Sequence, residues 1–196
     1  RLILTALLFC YSKGRDKRSF FLGSVGAWRI SFYNAIKLIC LFIICMTTFI
    51  AYANIQQPFS FDEILTDLVP ENLRTEPQGN SRITQRHQCR RLAHFLLWQL
   101  LKTAGKSTAL LEQIYRTQSG RPQFSVDNID FNISHSGDWV AVLLHINKSE
   151  KSAVGIDIEF SKKRSFSALM AHFAPQAEQE WFAKQLDEEQ AFYRCW

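Results

Sequence analysis

The alternation of apolar and polar residues becomes regular at Met46. In the segment MTTFIAYANI, one side of an extended chain would carry Phe49, Ala51 and Ala53, and the other side the residues between them. This period of two is typical of a strand, because successive side chains point to opposite faces. We predict a first strand over residues 47–55.

The segment RITQRHQCRRLAHFLLWQLLKTAG predicts the longest helix of the chain. Asn80 or Ser81 can cap its start, and Gly105 is a natural stop. Its apolar residues recur at helical spacing: Leu92, Phe95, Leu96 and Leu100. A shorter helix over residues 108–115 and a Gly-Pro turn at residues 120–122 should follow.

The rest of the chain predicts strands and then helices. We expect strands over residues 130–133 and 139–146 linked by a polar turn, a charged surface turn in NKSEKS, and an apolar strand in AVGIDIEF. FSALMAHF and PQAEQEWFAKQL predict two helices, and DEEQAFYRCW begins a third. Strand followed by helices occurs from Thr47 and again from Ala153. The order indicates an α+β fold with two related αβ halves, 46–150 and 151–196.

The first 45 residues differ in charge and pattern from the rest. They hold seven basic residues and one acid, with neither clean alternation nor a sustained helical stripe. We interpret residues 1–45 as a non-native leader upstream of a start at Met46. The alternative is an exported or membrane-anchored protein, because Lys37 precedes an apolar run that ends in Ala-Tyr-Ala, like a secretory signal.

Composition indicates a packed globular body, since 47% of the 196 residues are hydrophobic and 13% are aromatic. The net charge of +5 arises in the leader: residues 46–196 carry 16 basic and 17 acidic residues. General binding of nucleic acid is therefore not indicated. The five cysteines show no spacing typical of zinc or disulfides, which favours a reducing compartment.

Two acids lie in the apolar strand AVGIDIEF. Asp157 and Glu159 should share one face, with Ile156 and Ile158 behind them. Paired carboxylates repel unless a cation separates them, and Mg²⁺ accepts one or two carboxylates together with substrate phosphates. The alternative is a solvated sheet face.

Several polar residues could hold a phosphate. Ser134 and His135 lie in the predicted turn, where a hydroxyl, an imidazole and backbone amides can bind an anion. Arg121 follows a glycine, while Arg90 and Arg91 lie on the long helix. Each of these residues also has an ordinary structural explanation, in turn formation or on the polar face of a helix.

Taken together, GRPQF, FNISHSGDWVAV and VGIDIE resemble the 4′-phosphopantetheinyl transferase superfamily, in its larger type related to the surfactin and enterobactin synthetase transferases. The resemblance runs from about Met46 to the end of the chain. It implies a fold of two pseudo-symmetric halves. It also implies Mg²⁺-dependent transfer of 4′-phosphopantetheine from coenzyme A to a serine of an apo acyl or peptidyl carrier protein, with release of 3′,5′-ADP.

The resemblance assigns roles to individual residues. Asp157 and Glu159 match the metal carboxylates, which makes them the expected catalytic pair. Coenzyme A phosphates would contact the remaining matched residues: Arg90, Arg121, Ser134 and His135. The expected protein is a cytoplasmic monomer that does not bind membranes.

One family motif, W-x-x-K-E, should follow, but FYRCW reaches only its tryptophan, Trp196. The motif's lysine and third acid do not appear, so we interpret the second half as truncated. Two functions are therefore open: an active transferase, or an inactive remnant that retains at most weak binding of coenzyme A.

Overall fold

The structure is a computed structural model that describes the backbone of residues 2–10, 18–21, 28–30, 37–43, 46–147, 152–160 and 164–195. Side chains are described for residues 48–147, 153–160 and 164–193. The chain divides into two compact units. One spans Leu4–Ile158, and the other contains Glu159 and the helices that follow it.

The described strands form three sheets. Their bounds are β1 Leu2–Cys10, β2 Arg18–Phe21, β3 Trp28–Ile30, β4 Lys37–Ile43, β5 Met46–Asn54, β6 Ile114–Arg116, β7 Pro122–Phe124, β8 Ile129–Ser136, β9 Trp139–Asn147 and β10 Ser152–Phe160. A five-stranded sheet has the order β3-β4-β5-β9-β8 and is antiparallel throughout. The other sheets have the orders β10-β1-β2 and β6-β7.

The α-helices are α1 Glu71–Arg74, α2 Ser81–Thr103, α3 Phe166–Phe173, α4 Gln176–Phe182 and α5 Glu188–Cys195, with 3-10 turns at Phe61–Glu63, Thr66–Leu68 and Thr108–Gln113. Asn80 caps α2 by accepting a hydrogen bond from the Ile83 amide. Among the described residues, no helix combines the length and the apolar character needed to cross a membrane.

The core of the larger unit forms where α2 packs on one face of β5 and β9. Phe49, Ala51 and Ala53 lie in this core together with apolar residues of α2, β8 and β9 that include Leu92, Leu96, Leu100, Phe131, Val140, Val142 and Leu144. The alternation predicted from Met46 and the helical stripe of residues 81–103 are therefore both confirmed. Gly105 follows α2 with a φ of 63°, as a helix stop requires.

Two local predictions were wrong. The helix predicted over 108–115 is a 3-10 turn that ends at Gln113, because Ile114 already begins β6. The polar turn predicted after Ile133 starts later. Since Gly137 adopts a φ of 57°, the reversal falls on Gly137 and Asp138, and β8 continues to Ser136.

The second unit contains the three predicted helices, α3 to α5. Its buried core is made by Phe166, Met170, Ala174, Phe182, Ala191, Phe192 and Tyr193. The mixed α+β class is confirmed, while the pseudo-two-fold relation and the incompleteness of the second half stay predictions.

The leader contains described strands, β1 to β4, and β4 pairs with β5 in the five-stranded sheet. The prediction that residues 1–45 are a non-native leader is not tested by this pairing and stays a prediction. Residues 148–151 of the predicted charged turn lie outside the described part of the chain.

Candidate functional site

A cavity of about 730 Å³ lies in the larger unit between α2, the segment around α1, and strands β6 to β9. Arg90 from α2 and His135 from β8 line it, so the structure brings these two predicted phosphate contacts to one site. Arg74 and Arg116, which sequence reasoning missed, also line it. Apolar residues complete the wall: Leu68, Val69, Leu73, Leu97, Leu111, Phe131 and Val140.

Charged side chains of both signs line this cavity. Three acids also line it, Asp67, Glu71 and Glu112, against three arginines and His135. Since arginine can bind two phosphate oxygens at once, a ligand with phosphates and an apolar part would suit this lining.

The two neighbouring arginines of α2 have different surroundings. Arg91 Nη1 lies 2.6 Å from Glu76 Oε1, and its guanidinium lies 4.6 Å from the centroid of the Phe61 ring. Arg90 is exposed and lines the cavity. Of the two, Arg90 is therefore the residue available to a ligand in the cavity.

Two histidines of α2 form hydrogen bonds to backbone carbonyls of the segment before the helix, and this segment lines the cavity. His87 Nε2 donates to the Asn72 carbonyl at 3.1 Å, and His94 Nε2 donates to the Leu68 carbonyl at 2.8 Å. Burial lowers the pKa of His94, and the hydrogen bond to Leu68 opposes this effect. A neutral His94 therefore suits this buried position.

The sequence predicted that Ser134 and His135 share a turn, and this prediction was wrong. They are consecutive residues of β8 and therefore point to opposite faces of the sheet. His135 lines the cavity, whereas the Ser134 hydroxyl donates to Asp157 Oδ1 at 2.8 Å. The structure thus brings Ser134 to the predicted metal ligand and His135 to the cavity.

Strand β10 shows the alternation predicted for the two acids. Val154, Ile156 and Ile158 are buried, while Asp157 and Glu159 are half-buried. Carboxylate oxygens are the ligands that Mg²⁺ prefers, and a half-buried acid keeps access to water and to a substrate. Asp157, oriented by Ser134, therefore fits a role in holding Mg²⁺. Among the described residues, no group of three or more potential metal ligands occurs.

Arg121 is engaged by the protein itself. Its Nη2 atom lies 2.6 Å from Asp130 Oδ2 and also donates to the carbonyls of Phe131 at 3.2 Å and Val154 at 2.9 Å. Arg121 does not appear among the described residues that line the cavity. The structure therefore gives it a role in joining β8 to β10, and a contact with coenzyme A stays a prediction.

Asp138, one of the polar residues around the predicted turn, anchors the β8–β9 hairpin. Its carboxylate accepts hydrogen bonds from Gln56 and from Gln85 of α2. Cys89 of α2 lies close to this hairpin, with its thiol directed at the Gly137 carbonyl. Burial, together with the charge of Asp138, raises the pKa of Cys89 to about 11, so the thiol is a core group and not a nucleophile.

Two comparisons with known proteins relate the chain to one superfamily. Residues 153–196, which include β10 and the helices after it, match the model of the 4′-phosphopantetheinyl transferase superfamily. The chain is also 66% identical over 151 residues to the protein of Haemophilus influenzae (strain ATCC 51907 / DSM 11121 / KW20 / Rd) named "Putative 4'-phosphopantetheinyl transferase". Both matches therefore relate the chain to the 4′-phosphopantetheinyl transferase superfamily.

The match with the Haemophilus protein covers 77% of this chain and 64% of the relative. The chain therefore spans less than two thirds of that relative's length. No solved structure gave a significant match.

Proposed function

We propose that the chain transfers 4′-phosphopantetheine from coenzyme A to a serine of an apo acyl or peptidyl carrier protein in a Mg²⁺-dependent reaction. The observation that carries this proposal is the cavity shared by Arg90 and His135. Both were assigned to phosphate contacts from sequence, and Arg74 and Arg116 lie around the same space. Coenzyme A combines phosphates with an adenine and a pantetheine arm, which suits basic groups above an apolar wall.

In this reaction the serine oxygen forms a bond to the phosphorus that carries pantetheine. The bond from that phosphorus to the bridging oxygen breaks, and 3′,5′-ADP leaves with the bridging oxygen. The serine proton passes to a base or to water. Phosphoryl transfer depends mainly on positioning and on neutralising charge. We assign positioning to Arg90 and His135, with Ser134 and Arg121 as the further predicted contacts.

Asp157 and Glu159 would hold Mg²⁺ from one face of β10. When bound, the ion would neutralise charge on the coenzyme A diphosphate as the bond between its two phosphates breaks. The support for this assignment is the alternation of β10 and the hydrogen bond that fixes one oxygen of Asp157. The carrier protein, a cytoplasmic location and a monomeric state belong to the same proposal and rest on the resemblance to the family.

The direct test is to incubate the chain with coenzyme A, Mg²⁺ and an apo carrier protein. A mass increase of the carrier by one phosphopantetheine group, with release of 3′,5′-ADP, is the expected result. The longer Haemophilus relative, assayed in parallel, shows whether the carrier and conditions are suitable. Binding of coenzyme A without transfer, in an assay where the relative transfers, would favour the inactive remnant.

Asp157→Asn is the variant that tests the metal assignment. The amide retains an oxygen that can accept from Ser134 but loses the negative charge. We expect a loss of most of the Mg²⁺-dependent rate, on the order of 100-fold or more. An unchanged dependence of the rate on Mg²⁺ would remove Asp157 from the metal site.

A further inference from the structure

Three side chains of β8 bind the backbone of β10. Asp130 Oδ2 accepts from the Val154 amide at 2.9 Å, Asn132 Oδ1 from the Ile156 amide at 3.0 Å, and Ser134 Oγ from the Ile158 amide at 3.2 Å. The acceptors are alternate residues of one strand, and the donors are alternate residues of the other. We call this set of three hydrogen bonds the side-chain ladder.

The ladder supplies the hydrogen-bond acceptors for the backbone amides of β10 that the carbonyls of a neighbouring strand supply in an ordinary sheet. In a strand, alternate N–H groups point to the same edge, and alternate side chains point to the same face. A shift of β10 by one residue would place carbonyls opposite the acceptors. A shift by two residues would leave one donor or acceptor unmatched. The residues that supply the donors are buried, so an amide without a partner would be costly.

The two ends of the ladder are reinforced by other side chains. At one end, Arg121 binds Asp130 and the Val154 carbonyl. At the other end, Ser134 accepts from the Ile158 amide and therefore turns its single proton toward Asp157. The orientation of the Asp157 carboxylate thus depends on where the ladder holds β10. Asn132 provides the middle rung and carries no charge.

We propose that Asn132 is a positioning residue, which fixes the register of β10 against β8 and so sets the Asp157 carboxylate for Mg²⁺ and the coenzyme A diphosphate. The part that concerns Mg²⁺ and coenzyme A rests on the proposed function. The part that concerns the register of β10 rests on the hydrogen bonds alone.

The test compares three variants of the full chain: Asn132→Ala, which removes the acceptor; Asn132→Asp, which keeps an oxygen in the same place; and Asn128→Ala, which removes an exposed asparagine just before β8. Hydrogen exchange of the peptide covering β10 is measured first, without any ligand. We expect about tenfold faster exchange in Asn132→Ala, because a buried amide loses its acceptor, and near-normal exchange in the other two.

Calorimetry then measures the affinity for coenzyme A with and without Mg²⁺. In Asn132→Ala we expect the gain in affinity on adding Mg²⁺ to fall about tenfold, while the affinity without Mg²⁺ stays the same. Asn132→Asp should restore the gain. A general loss of folding would instead lower both affinities together.

The results separate this inference from the proposed function. If Mg²⁺ does not change the affinity of the unaltered chain for coenzyme A, the proposed function fails. Hydrogen exchange in β10 still supports or overturns the role of Asn132 in fixing the register of that strand. Unchanged exchange of β10 in Asn132→Ala would overturn the inference. If β10 exchanges faster in Asn132→Ala but Mg²⁺ still gives the full gain in coenzyme A affinity, Asn132 does not position Asp157.

Discussion

At the scale of single residues, Arg90 and Arg91 show how one position along a helix changes the role of a side chain. Arg91 is held by Glu76 and by the Phe61 ring, whereas Arg90 lines the cavity. We predict that Arg90→Ala weakens coenzyme A binding by about 1.5–3 kcal/mol, the usual contribution of a hydrogen bond to a charged group. Arg91→Ala should leave that affinity within a factor of about two and mainly lower the melting temperature.

Calorimetry with coenzyme A and thermal unfolding without it provide the two measurements. Each variant is the control for the other, because both remove the same side chain from adjacent positions of α2. Equal losses of affinity in Arg90→Ala and Arg91→Ala would show that the cavity does not bind the phosphates through Arg90.

His94 predicts how stability depends on pH. Burial lowers its pKa below the ordinary value of 6.5, so between that value and the lower folded pKa the unfolded chain binds more protons than the folded one. The stabilisation is fully present above pH 6.5 and is lost as the pH falls through this window. Burial shifts the pKa of His145 in the same direction, although Asp130 opposes the shift.

We therefore expect a lower melting temperature at pH 5.5 than at pH 7.5. In His94→Gln the amide group can still donate to the Leu68 carbonyl but does not titrate in this range, so the difference between the two pH values should shrink. Thermal unfolding at both pH values measures it. An equal difference in His94→Gln and in the unaltered chain would assign the pH dependence to other groups.

At the scale of elements, the β8–β9 hairpin determines which face of the sheet each site residue occupies. Gly137 lies at its reversal with a φ of 57°, a conformation that costs other residues about 1–2 kcal/mol. We predict that Gly137→Ala destabilises the chain by about that amount. Gly137→Asn should cost less, because asparagine tolerates this conformation better than alanine does.

Denaturant unfolding compares these two variants with the unaltered chain. Steric overlap does not contribute to the expected loss of stability, because a Cβ atom at Gly137 would meet nothing within 4 Å. Equal stability of Gly137→Ala and the unaltered chain would mean that the backbone at this turn relaxes without cost.

The same hairpin shows what the sequence could and could not predict. Buried positions in β10 and α2 follow from periodicity, because each repeats a local pattern: Ile156 and Ile158 in the strand, Leu92 and Leu96 in the helix. Ser134 was placed in a turn because serine is a common turn residue. Its hydrogen-bond partners are Asp157 and Ile158, 23 and 24 residues away, and no local rule identifies such partners.

The cavity illustrates the same limit. Arg74 and Arg116 belong to segments on either side of α2, and only the folded chain brings them to Arg90. One local pattern in β8 does indicate the side-chain ladder. Asp130, Asn132 and Ser134 alternate along a single strand, and a polar face of that kind indicates hydrogen-bond partners packed against it.

At the scale of the whole molecule, each of the two compact units has its own core. The cavity lies in the larger unit, and the family match begins at residue 153 and continues through α3 to α5. The smaller unit has a core of few side chains, in which Phe192 is fully buried with its ring centroid 5.0 Å from that of Phe166. A small core of this kind should be sensitive to the loss of one large side chain.

We predict that Phe192→Ala removes about 3–5 kcal/mol from the stability of the smaller unit, the usual cost of deleting a buried aromatic side chain. Helices α3 to α5 should then lose protection against hydrogen exchange, while α2 and β9 keep theirs, because the larger unit has its own core. Leu186→Ala is the control, since Leu186 is fully exposed. If α2 and β9 lose protection to the same extent as α3 to α5, the two units unfold as one.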